Sequence, residues 1–597
     1  MAVVATAGHV DHGKSTLVRA LTGIEPDRWA HERQRGLTID LGFAWMELPS
    51  GREVSFVDVP GHERFVANML AGLGPAPVVC FVVAADEGWA AQSADHRDAI
   101  EALSIDTGVV VLTKTDLAPH RVPEVREQVR SELSGTGLAR APIIPVSAAT
   151  GAGLPEFVEV LDEILRKEPA PATGPVRMWV DRSFAVAGAG TVITGTLAHG
   201  RVAPADVMEL STPHGRHRIT VRSLQTHQQR VTEIAPVSRA AVNVRGIASQ
   251  DVSRGDALLT PGAWWHSETI DVRRASGTGL DQMSRTVSVH VGTAAVTARI
   301  RPFDAEHARL QLRRPLPLRV GDRAVLRDST PALVAGGVIV LDVDPPALTR
   351  RGAGRRRART LARMGPGQDA EHLSIEVTRR GGAQVSMLSR MGLRVPEEMP
   401  APLRRYGDWV LDDDAVQRWA ERLKAVVEEH VRTDPLSQGL TDGAAVDALD
   451  LTDPALLSAV VEASEMRQVA GRILPAAART DLGSAESAVR DLEQRLREHP
   501  FQAPEASELA QLDLRGKELA AAERQGRLLR LTDTVVLLPS APAQAMVVLA
   551  ALEQPFTTSS ARQALGTTRR TAVPLLEHLD TRGWTRSIAP GKRIVVR

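Results

Sequence analysis

Three patterns of hydrophobic and polar positions follow one another along the 597 residues. Up to about Pro169, apolar runs such as residues 3–7 alternate with stretches of helical periodicity, which predicts a doubly wound α/β domain. From Val176 to about Pro346, short apolar alternations are interrupted by Gly, Pro and Asp, a spacing typical of two small β-barrels. After Arg359, helical periodicity returns in combination with short strand pairs.

The first apolar run ends in the octapeptide Gly-His-Val-Asp-His-Gly-Lys-Ser, which reads as a phosphate-binding loop. Its two glycines let backbone amides turn toward the α- and β-phosphates, and its lysine reaches the β- and γ-phosphates. The serine hydroxyl, at a helix start, can ligate Mg²⁺. The predicted nucleotide-binding residues of this loop are Gly8, His9, Val10, Asp11, His12, Gly13, Lys14, Ser15 and Thr16.

Two further motifs follow in the order that a GTPase requires. In Arg-Gly-Leu-Thr-Ile-Asp, Thr38 is expected to complete a Mg²⁺ shell with Ser15 and to sense the γ-phosphate. A predicted strand ends in Asp58, placed to hold a Mg²⁺-bound water, and the amide of Gly61 can meet the γ-phosphate. His62, directly after this glycine, is the candidate for orienting the attacking water.

The choice of base is predicted at a Thr-Lys-Thr-Asp motif after the apolar run 108–112. The Asp116 carboxylate can accept both N–H groups on the Watson–Crick edge of guanine, so GTP is favoured over ATP. Thr113 precedes Lys114, whose methylene stem can lie on the base. Ser147 and Ala148 follow another apolar run and are expected to meet the guanine oxygen through an amide.

These motifs (GHVDHGKS, RGLTID, DVPGH and TKTD) resemble the GTPase domain of translation factors of the elongation factor Tu type. The resemblance implies hydrolysis of GTP to GDP and phosphate with Mg²⁺, activated by the GTPase-activating region of the large ribosomal subunit. It places Asp11 in the catalytic set with His62, and matches Val10 and Leu37 to apolar side chains that flank the histidine. One departure is Thr113, where the family has Asn; a hydroxyl reaches less far than an amide.

Composition narrows the remaining possibilities. With 72 basic and 72 acidic residues, attraction to nucleic acid must come from local patches. One is the arginine run 350–359, which could equally be a solvated face or a linker, and the other is residues 556–597. The single cysteine, Cys80, excludes an intrachain disulfide and is expected in a buried strand. No membrane span or leader is expected, and the predicted location is cytoplasmic.

Strand pairs with a glycine turn recur about every 55 residues in the last part of the chain, which predicts four winged-helix units. An all-helical interaction domain is the alternative. The predicted domains are a GTP-binding domain at 1–172, barrels at 175–262 and 263–347, a linker with the first winged helix at 348–428, and further winged helices at 429–480, 481–541 and 542–597. The first barrel contains the motif Arg254-Gly255-Asp256, which resembles the second domain of translational GTPases.

From end to end, this organisation resembles the bacterial selenocysteine-specific elongation factors. The resemblance implies a monomer that binds selenocysteinyl-tRNA, the ribosome and the mRNA hairpin downstream of a recoded UGA codon. It also implies an aminoacyl pocket lined by Asp181, Arg182 and Arg239, in which paired guanidiniums would favour an ionised selenol. A structural ion pair between Asp181 and Arg182 is the alternative.

The same resemblance places the hairpin-binding helix in the last unit, where two arginines open a helix whose amides also face phosphate. Trp584 could stack on an extruded base or belong to the core. The predicted RNA-binding residues are Arg569, Arg570, Arg586, Lys592 and Arg593.

Two other functions fit the same sequence. One is a different translational GTPase with an unrelated tail, such as an elongation factor Tu paralogue or an initiation factor of the γ type. The other is a GTP-gated regulator whose winged helices read duplex DNA. Readers of duplex DNA usually present a basic recognition helix, often as symmetric dimers, whereas only the last unit here is strongly basic.

Overall fold

The computed structural model describes residues 1–26, 38–167, 174–188, 190–328, 334–434, 437, 439–476 and 482–596. The chain forms two compact units, Met1–Leu411 and Asp412–Arg597. Leu37, most of the linker expected around 168–175 and the predicted boundary at 480–481 lie outside the described residues. No helix in the described ranges combines the length and apolar character needed to cross a bilayer.

The first domain is a six-stranded sheet in the order β2-β3-β1-β4-β5-β6, parallel except for β2. Its elements are β1 (Ala2–Ala7), α1 (Lys14–Thr22), β2 (Gly42–Glu47), β3 (Glu53–Asp58), α2 (Val66–Leu73), β4 (Val78–Ala84), α3 (Ala91–Leu103), β5 (Gly108–Thr113), α4 (Val122–Leu133), β6 (Ile143–Pro145) and α5 (Leu154–Lys167). Strands β1, β4 and β5 are buried along their whole length, which explains their unbroken apolar sequences. Cys80 lies in β4, and burial raises the pKa of its thiol, so this side chain is an inert core residue as expected.

Two barrels follow, as predicted. The first contains β7 (Arg177–Val186), β8 (Gly190–His199), β9 (Val207–Thr212), β10 (Gly215–Thr226), β11 (Gln229–Val231), β12 (Ser238–Arg245) and β13 (Ala257–Leu259), and pairing of β9 with β10 closes it. The second is a closed barrel of β14 (Trp265–Gly277), β15 (Thr286–Val291), β16 (Ala294–Pro302), β17 (His307–Leu318), β18 (Arg323–Arg327) and β19 (Gly336–Asp342). Strand β16 alternates buried and exposed residues, the period-two pattern seen in the sequence.

The remaining chain combines helices with four small antiparallel sheets, as a series of winged helices requires, so the all-helical alternative is wrong. The first set completes the unit Met1–Leu411, with α6 (Ala353–Leu361), α7 (Asp369–Arg380), β20 (Gly382–Gln384), α8 (Val385–Met391), β21 (Leu403–Tyr406) and β22 (Trp409–Asp412). The second contains α9 (Asp413–Thr433), β23 (Leu440–Thr441), α10 (Asp442–Leu449), α11 (Leu457–Ala463), β24 (Met466–Val469) and β25 (Arg472–Pro475).

The last two sets lie in the second compact unit. The third contains α12 (Glu486–Glu498), α13 (Ala506–Gln511), α14 (Gly516–Arg524), β26 (Leu529–Thr532) and β27 (Val535–Leu537). The fourth contains α15 (Ala541–Ala550), β28 (Phe556–Thr557), α16 (Thr558–Ala564), α17 (Arg569–Thr581), β29 (Thr585–Ala589) and β30 (Lys592–Val595). Both sets share one hydrophobic core, in which Leu492 and Val536 belong to the same cluster as Leu549 and Leu576. The segment 542–597 is therefore only part of a larger packed body.

Two details differ from the sequence expectations. The helix α9 continues through residues 428 and 429, so the boundary predicted there falls inside one element. The third hairpin turns at residues 533–534 without glycine, because the Thr532 hydroxyl accepts hydrogen bonds from the amides of Thr534 (3.3 Å) and Val535 (3.1 Å). Gly526 instead adopts a positive φ of 69° just after α14.

From Ala353 onward, the arginine run after the second barrel belongs to α6 and not to a linker. Arg357 is buried, and its Nε lies 2.7 Å from Asp271 Oδ2 while its guanidinium also pairs with Asp342. Burial, reinforced by Glu376, raises the pKa of Asp342 to about 7, although Arg357 acts in the opposite direction. Arg355, Arg356 and Arg359 on the same helix are exposed. One member of the run thus fastens α6 to the barrel, and the others face solvent.

Candidate nucleotide-binding site

The phosphate loop connects β1 to α1 through two backbone positions that require glycine. Gly8 has a φ of 128°, and a Cβ there would lie 2.1 Å from the carbonyl oxygen of Val82; Gly13 has a φ of 83° at the helix start. Lys14 Nζ donates to the carbonyls of Gly8 (2.9 Å) and His9 (2.7 Å), so the ammonium is held within the loop. The loop borders a cavity of about 330 Å³ lined by Val10, Asp11, Gly13, Lys14, Ser15, Thr16, Arg19, Glu25, Thr38 and Gly61.

The three predicted metal ligands lie close together: Ser15 and Thr38 line this cavity, and Asp58 is buried directly behind Ser15. Ser15 Oγ donates to Asp58 Oδ2 at 2.6 Å and lies 3.1 Å from Thr38 Oγ1. Thr6 donates to the other oxygen of Asp58 at 2.6 Å. Burial raises the pKa of Asp58, and the hydrogen bonds from Ser15 and Thr6 act in the opposite direction. Clustered hydroxyl and carboxylate oxygens suit a hard cation such as Mg²⁺, which takes few protein ligands and several from phosphate and water.

The candidate catalytic histidine lies on the turn after Gly61. A Cβ at Gly61 would lie 2.6 Å from both Lys14 Nζ and the Val10 amide, so this glycine is packed against the phosphate loop. His62 is partly exposed, and its Nδ1 accepts a hydrogen bond from the Arg64 amide at 3.2 Å. This bond engages one of the two ring nitrogens of the imidazole. Val10 is in place beside the turn, Asp11 is exposed, and Leu37 is outside the described residues.

The base-binding motif is tethered to the phosphate loop despite its unusual threonine. Thr113 is buried, and its hydroxyl donates to the carbonyl of His12 at 2.6 Å. Lys114 Nζ lies 3.1 Å from Asp86 and 3.0 Å from Glu87. Burial alone would lower the pKa of Lys114, but the two carboxylates raise it above its usual value. The hydroxyl therefore makes the connection that the sequence left open.

The remaining base-binding residues occupy the adjoining loops. Asp116 is exposed just after Lys114. Ser147 is buried, its Oγ accepts a hydrogen bond from the Thr150 amide at 3.2 Å, and Ala148 follows at the edge of the loop. These residues lie at the carboxyl ends of β5 and β6, the edge where ligands bind in parallel sheets.

Several residues that hold the site together carried no sequence signal. Gln92 Oε1 accepts the Val10 amide at 3.1 Å. His96 is fully buried behind the loop and hydrogen-bonds the backbone of Gly61. Burial lowers the pKa of His96 well below its usual value and that of His12 to about 4, so both imidazoles are neutral at pH 7. Each of these contacts joins distant parts of the chain, which local motifs cannot reveal.

A polar junction connects the GTPase domain to the first barrel, where the aminoacyl pocket was predicted. Asp181 is buried and pairs through both oxygens with Arg239, not with Arg182, so the alternative of an Asp181–Arg182 ion pair is wrong. Arg182 contacts Asp40 (3.4 Å) and the carbonyl of Leu41. Both guanidiniums lie over the ring of Phe43, at 4.8 Å for Arg182 and 3.9 Å for Arg239.

The predicted RNA-binding residues face different ways. Arg569, Arg586 and Lys592 are exposed. Arg570 instead donates to the carbonyls of Thr534 (2.7 Å), Ala503 (3.0 Å) and Pro504 (2.9 Å). Arg593 pairs with Asp580 at 2.8 Å, and Trp584 is partly buried against the shared core. The structure thus gives Arg570 and Arg593 packing contacts, because backbone and carboxylate oxygens lie within their reach.

Residues 1–167 match the family of the elongation factor Tu GTP binding domain. Residues 267–347 match the selenocysteine-specific elongation factor, beta-barrel domain, and residues 548–594 match the elongation factor SelB, winged helix. A phosphate cradle on an α/β sheet, followed by two barrels, defines with these matches a translational GTPase, an enzyme that hydrolyses GTP.

The selenocysteine-specific elongation factor of Desulfomicrobium baculatum is 34% identical over 470 residues, which cover 74% of this chain and 73% of that protein. The selenocysteine-specific elongation factor of Escherichia coli (strain K12) is 34% identical over 446 residues, covering 72% and 71%. The chain belongs to the selenocysteine-specific elongation factor family. A crystal structure of a bacterial selenocysteine-specific elongation factor superposes with a TM-score of 0.77 at 25% identity and covers all of both chains. These matches disfavour an unrelated tail and a DNA-reading regulator.

Proposed function

We propose that this chain, in its GTP-bound form, delivers selenocysteinyl-tRNA to the ribosome at recoded UGA codons while its last winged helix holds the mRNA hairpin. The observation that carries the proposal is the combination, in one chain, of the nucleotide cradle, the arginine-rich junction beside it and exposed basic residues on the fourth winged helix. Because the proposed partners are translation components, we expect the protein to act in the cytoplasm.

At the nucleotide site, the amides of the phosphate loop and Lys14 bind the phosphates of GTP. Ser15, Thr38 and Asp58 would hold Mg²⁺, which neutralises charge between the β- and γ-phosphates when bound. His62, with Nδ1 engaged by the Arg64 amide, directs its other nitrogen toward the attacking water once the ribosome positions the turn. Arg19 is the one arginine among the described residues that line the cavity. Hydrolysis is expected to be activated in trans, by the ribosome.

Guanine is selected by Asp116, whose carboxylate accepts the N1 and N2 hydrogens together. Lys114 supports this site in two ways. Its stem covers the base, and its ammonium is held by Asp86 and Glu87, so the side chain is already ordered before nucleotide binds. Thr113 keeps this loop in register with the phosphate loop through His12.

The aminoacyl group is received at the junction of Asp181, Arg182 and Arg239. A selenol ionises more readily than a thiol, whose pKa is about 8.5, so a guanidinium there favours selenocysteine over serine. Arg239 is paired with the buried Asp181, whereas Arg182 contacts the partly exposed Asp40 and lies over the Phe43 ring. We expect Arg182 to respond to the substrate.

The test is equilibrium binding of selenocysteinyl- and seryl-tRNA to the full chain with a non-hydrolysable GTP analogue. We expect Arg182→Ala to reduce the preference for selenocysteinyl-tRNA about tenfold, equivalent to about 1.4 kcal/mol. Arg230→Ala, an exposed arginine on β11 of the same barrel, is the matched control. Unchanged selectivity in Arg182→Ala would remove the pocket assignment.

The exposed basic residues of the last unit, Arg569, Arg586 and Lys592, hold the hairpin and thereby raise the local concentration of the loaded factor at one codon. The test compares binding of the full chain to its genome's candidate hairpin, a scrambled RNA and duplex DNA across a salt series. The full chain is used because the third and fourth units share a core. We expect selective hairpin binding that weakens in Arg569→Ala but not in Arg515→Ala, an exposed arginine of the third unit. Equal binding to all three nucleic acids would contradict the tethering role.

A further inference from the structure

Arg254 connects three parts of the junction through one guanidinium. It follows the short turn Ser249–Asp251 of the first barrel. Its Nη2 lies 2.5 Å from Asp40 Oδ1, its Nη1 donates to Asn68 Oδ1 at 2.6 Å, and its Nε donates to the carbonyl of Asp181 at 3.1 Å. Three donors of one planar group thus point to three different segments.

Two of these segments belong to the nucleotide site. Asp40 comes two residues after Thr38, whose hydroxyl lies 3.1 Å from Ser15 Oγ in the cradle. Asn68 lies in α2, six residues after His62, and its Nδ2 donates to the carbonyl of Ile39 at 2.8 Å. With its oxygen engaged by Arg254 and its nitrogen by Ile39, the Asn68 amide has a single orientation that satisfies both partners.

The third segment belongs to the predicted aminoacyl pocket. Arg254 holds the backbone of Asp181, and the side chain of Asp181 is paired with Arg239 and accepts the Thr194 hydroxyl at 2.7 Å. A change in the position of Arg254 would therefore also move the carboxylate of Asp181, which orients Arg239. Hydrogen bonds, ion pairs and the intervening backbone thus connect Ser15 to Arg239 through Thr38, Asp40, Arg254 and Asp181.

The junction is half-buried, so its charges are only partly screened by water. Arg254 is 27% exposed and Asp40 28%. Burial works to raise the pKa of Asp40, but the hydrogen bond and the charge of Arg254 outweigh it and hold this pKa below its usual value. Asp40 therefore stays ionised and bound to Arg254 at neutral pH.

We propose that Arg254 is the positioning residue that couples the nucleotide state to the aminoacyl pocket. The inference rests on the proposed function, namely nucleotide-dependent binding of aminoacyl-tRNA. When the segment around Thr38 and the helix after His62 are in the arrangement described here, Arg254 holds Asp181 and thereby Arg239 in place. When either segment moves, the guanidinium loses partners and the pocket loses its support.

Thermodynamic linkage makes this proposal measurable. If GTP raises the affinity for tRNA by some factor, tRNA raises the affinity for GTP by the same factor. A residue that only stabilises the fold would change both nucleotide states alike, whereas a coupling residue changes the ratio between them. Lysine at position 254 would not restore the ratio, because an ammonium on a flexible stem cannot reproduce the planar fork.

The experiment measures the Kd of selenocysteinyl-tRNA for the full chain with a non-hydrolysable GTP analogue and with GDP. We expect Arg254→Ala and Arg254→Lys to reduce the GDP-to-analogue ratio of Kd values about tenfold, within the range of known coupling energies. Nucleotide affinities without tRNA should stay within about threefold. Arg245→Ala, an exposed residue of β12, is the control and should retain the ratio.

Asn68→Ala tests the same inference if the Arg254→Ala variant fails to fold. It should also lower the GDP-to-analogue ratio of Kd values. The two substitutions together should lower it by less than the product of their separate effects, since they break one network. A wild-type ratio in folded Arg254→Ala, or in Asn68→Ala if only that variant folds, would overturn the inference. A ratio of one in the wild-type chain would instead overturn the proposed nucleotide-dependent delivery.

Discussion

Two helices of this protein begin with arginine runs that look alike in the sequence and behave differently in the fold. In α6, which follows the second barrel, Arg357 inserts between the buried carboxylates of Asp271 and Asp342. In α17, in the last winged helix, Arg569 is exposed while its neighbour Arg570 turns inward to backbone carbonyls. The difference comes from the acceptors that each helix meets: buried oxygens capture a guanidinium, and a helix end facing solvent leaves it available for phosphate.

The comparison teaches that a basic run contains residues of two kinds that composition cannot separate. A guanidinium engaged by buried oxygens contributes to stability, and its loss leaves those oxygens without a partner. An exposed guanidinium contributes little to stability and instead adds to binding of an anionic partner. Substitutions within one run should therefore divide into effects on folding and effects on RNA binding.

The largest effect is expected from Arg357→Ala. The substitution removes a buried partner from both carboxylates. Asp271 keeps Arg309, but Asp342 keeps a cation, Arg379, only at 3.7 Å. Breaking a buried ion pair by removing one partner typically costs about 3–5 kcal/mol of unfolding free energy. Chemical denaturation of the full chain measures it. Arg356→Ala, exposed on the same helix, should change stability by no more than about 0.5 kcal/mol. Equal effects of the two substitutions would remove the distinction on which the comparison depends.

Arg570→Ala should be the next largest. It leaves three backbone carbonyls without their charged donor, for an expected loss of about 1.5–3 kcal/mol in the unit Asp412–Arg597. The denaturation transition of this unit should shift, whereas Arg569→Ala should leave it in place. A stable Arg570→Ala variant with weakened RNA binding would mean that Arg570 belongs to the RNA-facing group after all.

The buried histidines behind the phosphate loop predict that the stability of the GTPase domain depends on pH. Burial lowers the pKa of His96 well below 6.5 and that of His12 to about 4, so the unfolded chain takes up protons below pH 6.5 that the folded domain does not. Stability is thus present above pH 6.5 and lost as the pH falls toward 4, by up to about 1.4 kcal/mol per pH unit for each group. His96→Asn should flatten the decline in thermal unfolding midpoint between pH 6.5 and 5, and an unchanged slope would mean that His96 does not contribute to it.

A smaller effect is expected at the base-binding motif. Thr113→Val keeps the shape of the side chain and removes the hydrogen bond to the His12 carbonyl, which should weaken GDP binding about tenfold, or about 1.4 kcal/mol. Thr115→Val, two residues further on and only partly buried, is the control. Fluorescent-nucleotide titration measures both, and equal affinity of Thr113→Val and wild type would show the tether to be dispensable.

The smallest expected effect is that of Arg569→Ala, and it is specific to RNA binding. Arg569→Ala should leave stability unchanged and weaken hairpin binding by about 0.5–1 kcal/mol, while reducing the slope of log K against log salt by about one. The salt series described above measures the slope. A reduced affinity with an unchanged slope would indicate a contact other than one with phosphate.

The parts of this molecule that the sequence could predict are the local ones. The phosphate loop, Asp58 at the end of its strand and the three kinds of domain pattern each depend on neighbouring residues, and the structure agrees with them. The alternative of an ion pair between Asp181 and Arg182 is wrong, because Asp181 pairs with Arg239 on a different strand. The sequence indicates Arg254 only as part of a short motif.

The features that the sequence did not predict depend on which distant segments of the chain pack against each other. Gln92, His96 and Asn68 are unremarkable in the sequence and acquire a role only because helices α2 and α3 pack beside the phosphate loop. The inward orientation of Arg570 depends in the same way on carbonyls about 36 and 66 residues away. Hydrophobic periodicity predicts elements, and side-chain partners follow only from their packing.

The most direct test of the account is selenocysteine insertion in a reconstituted translation system programmed with matched mRNAs that contain a UGA codon with or without the downstream hairpin. We expect the full chain with GTP to insert selenocysteine at UGA only when the hairpin is present. Arg569→Ala should reduce insertion when the factor is limiting. Equal insertion with and without the hairpin would contradict the claim that the tail directs delivery to one codon.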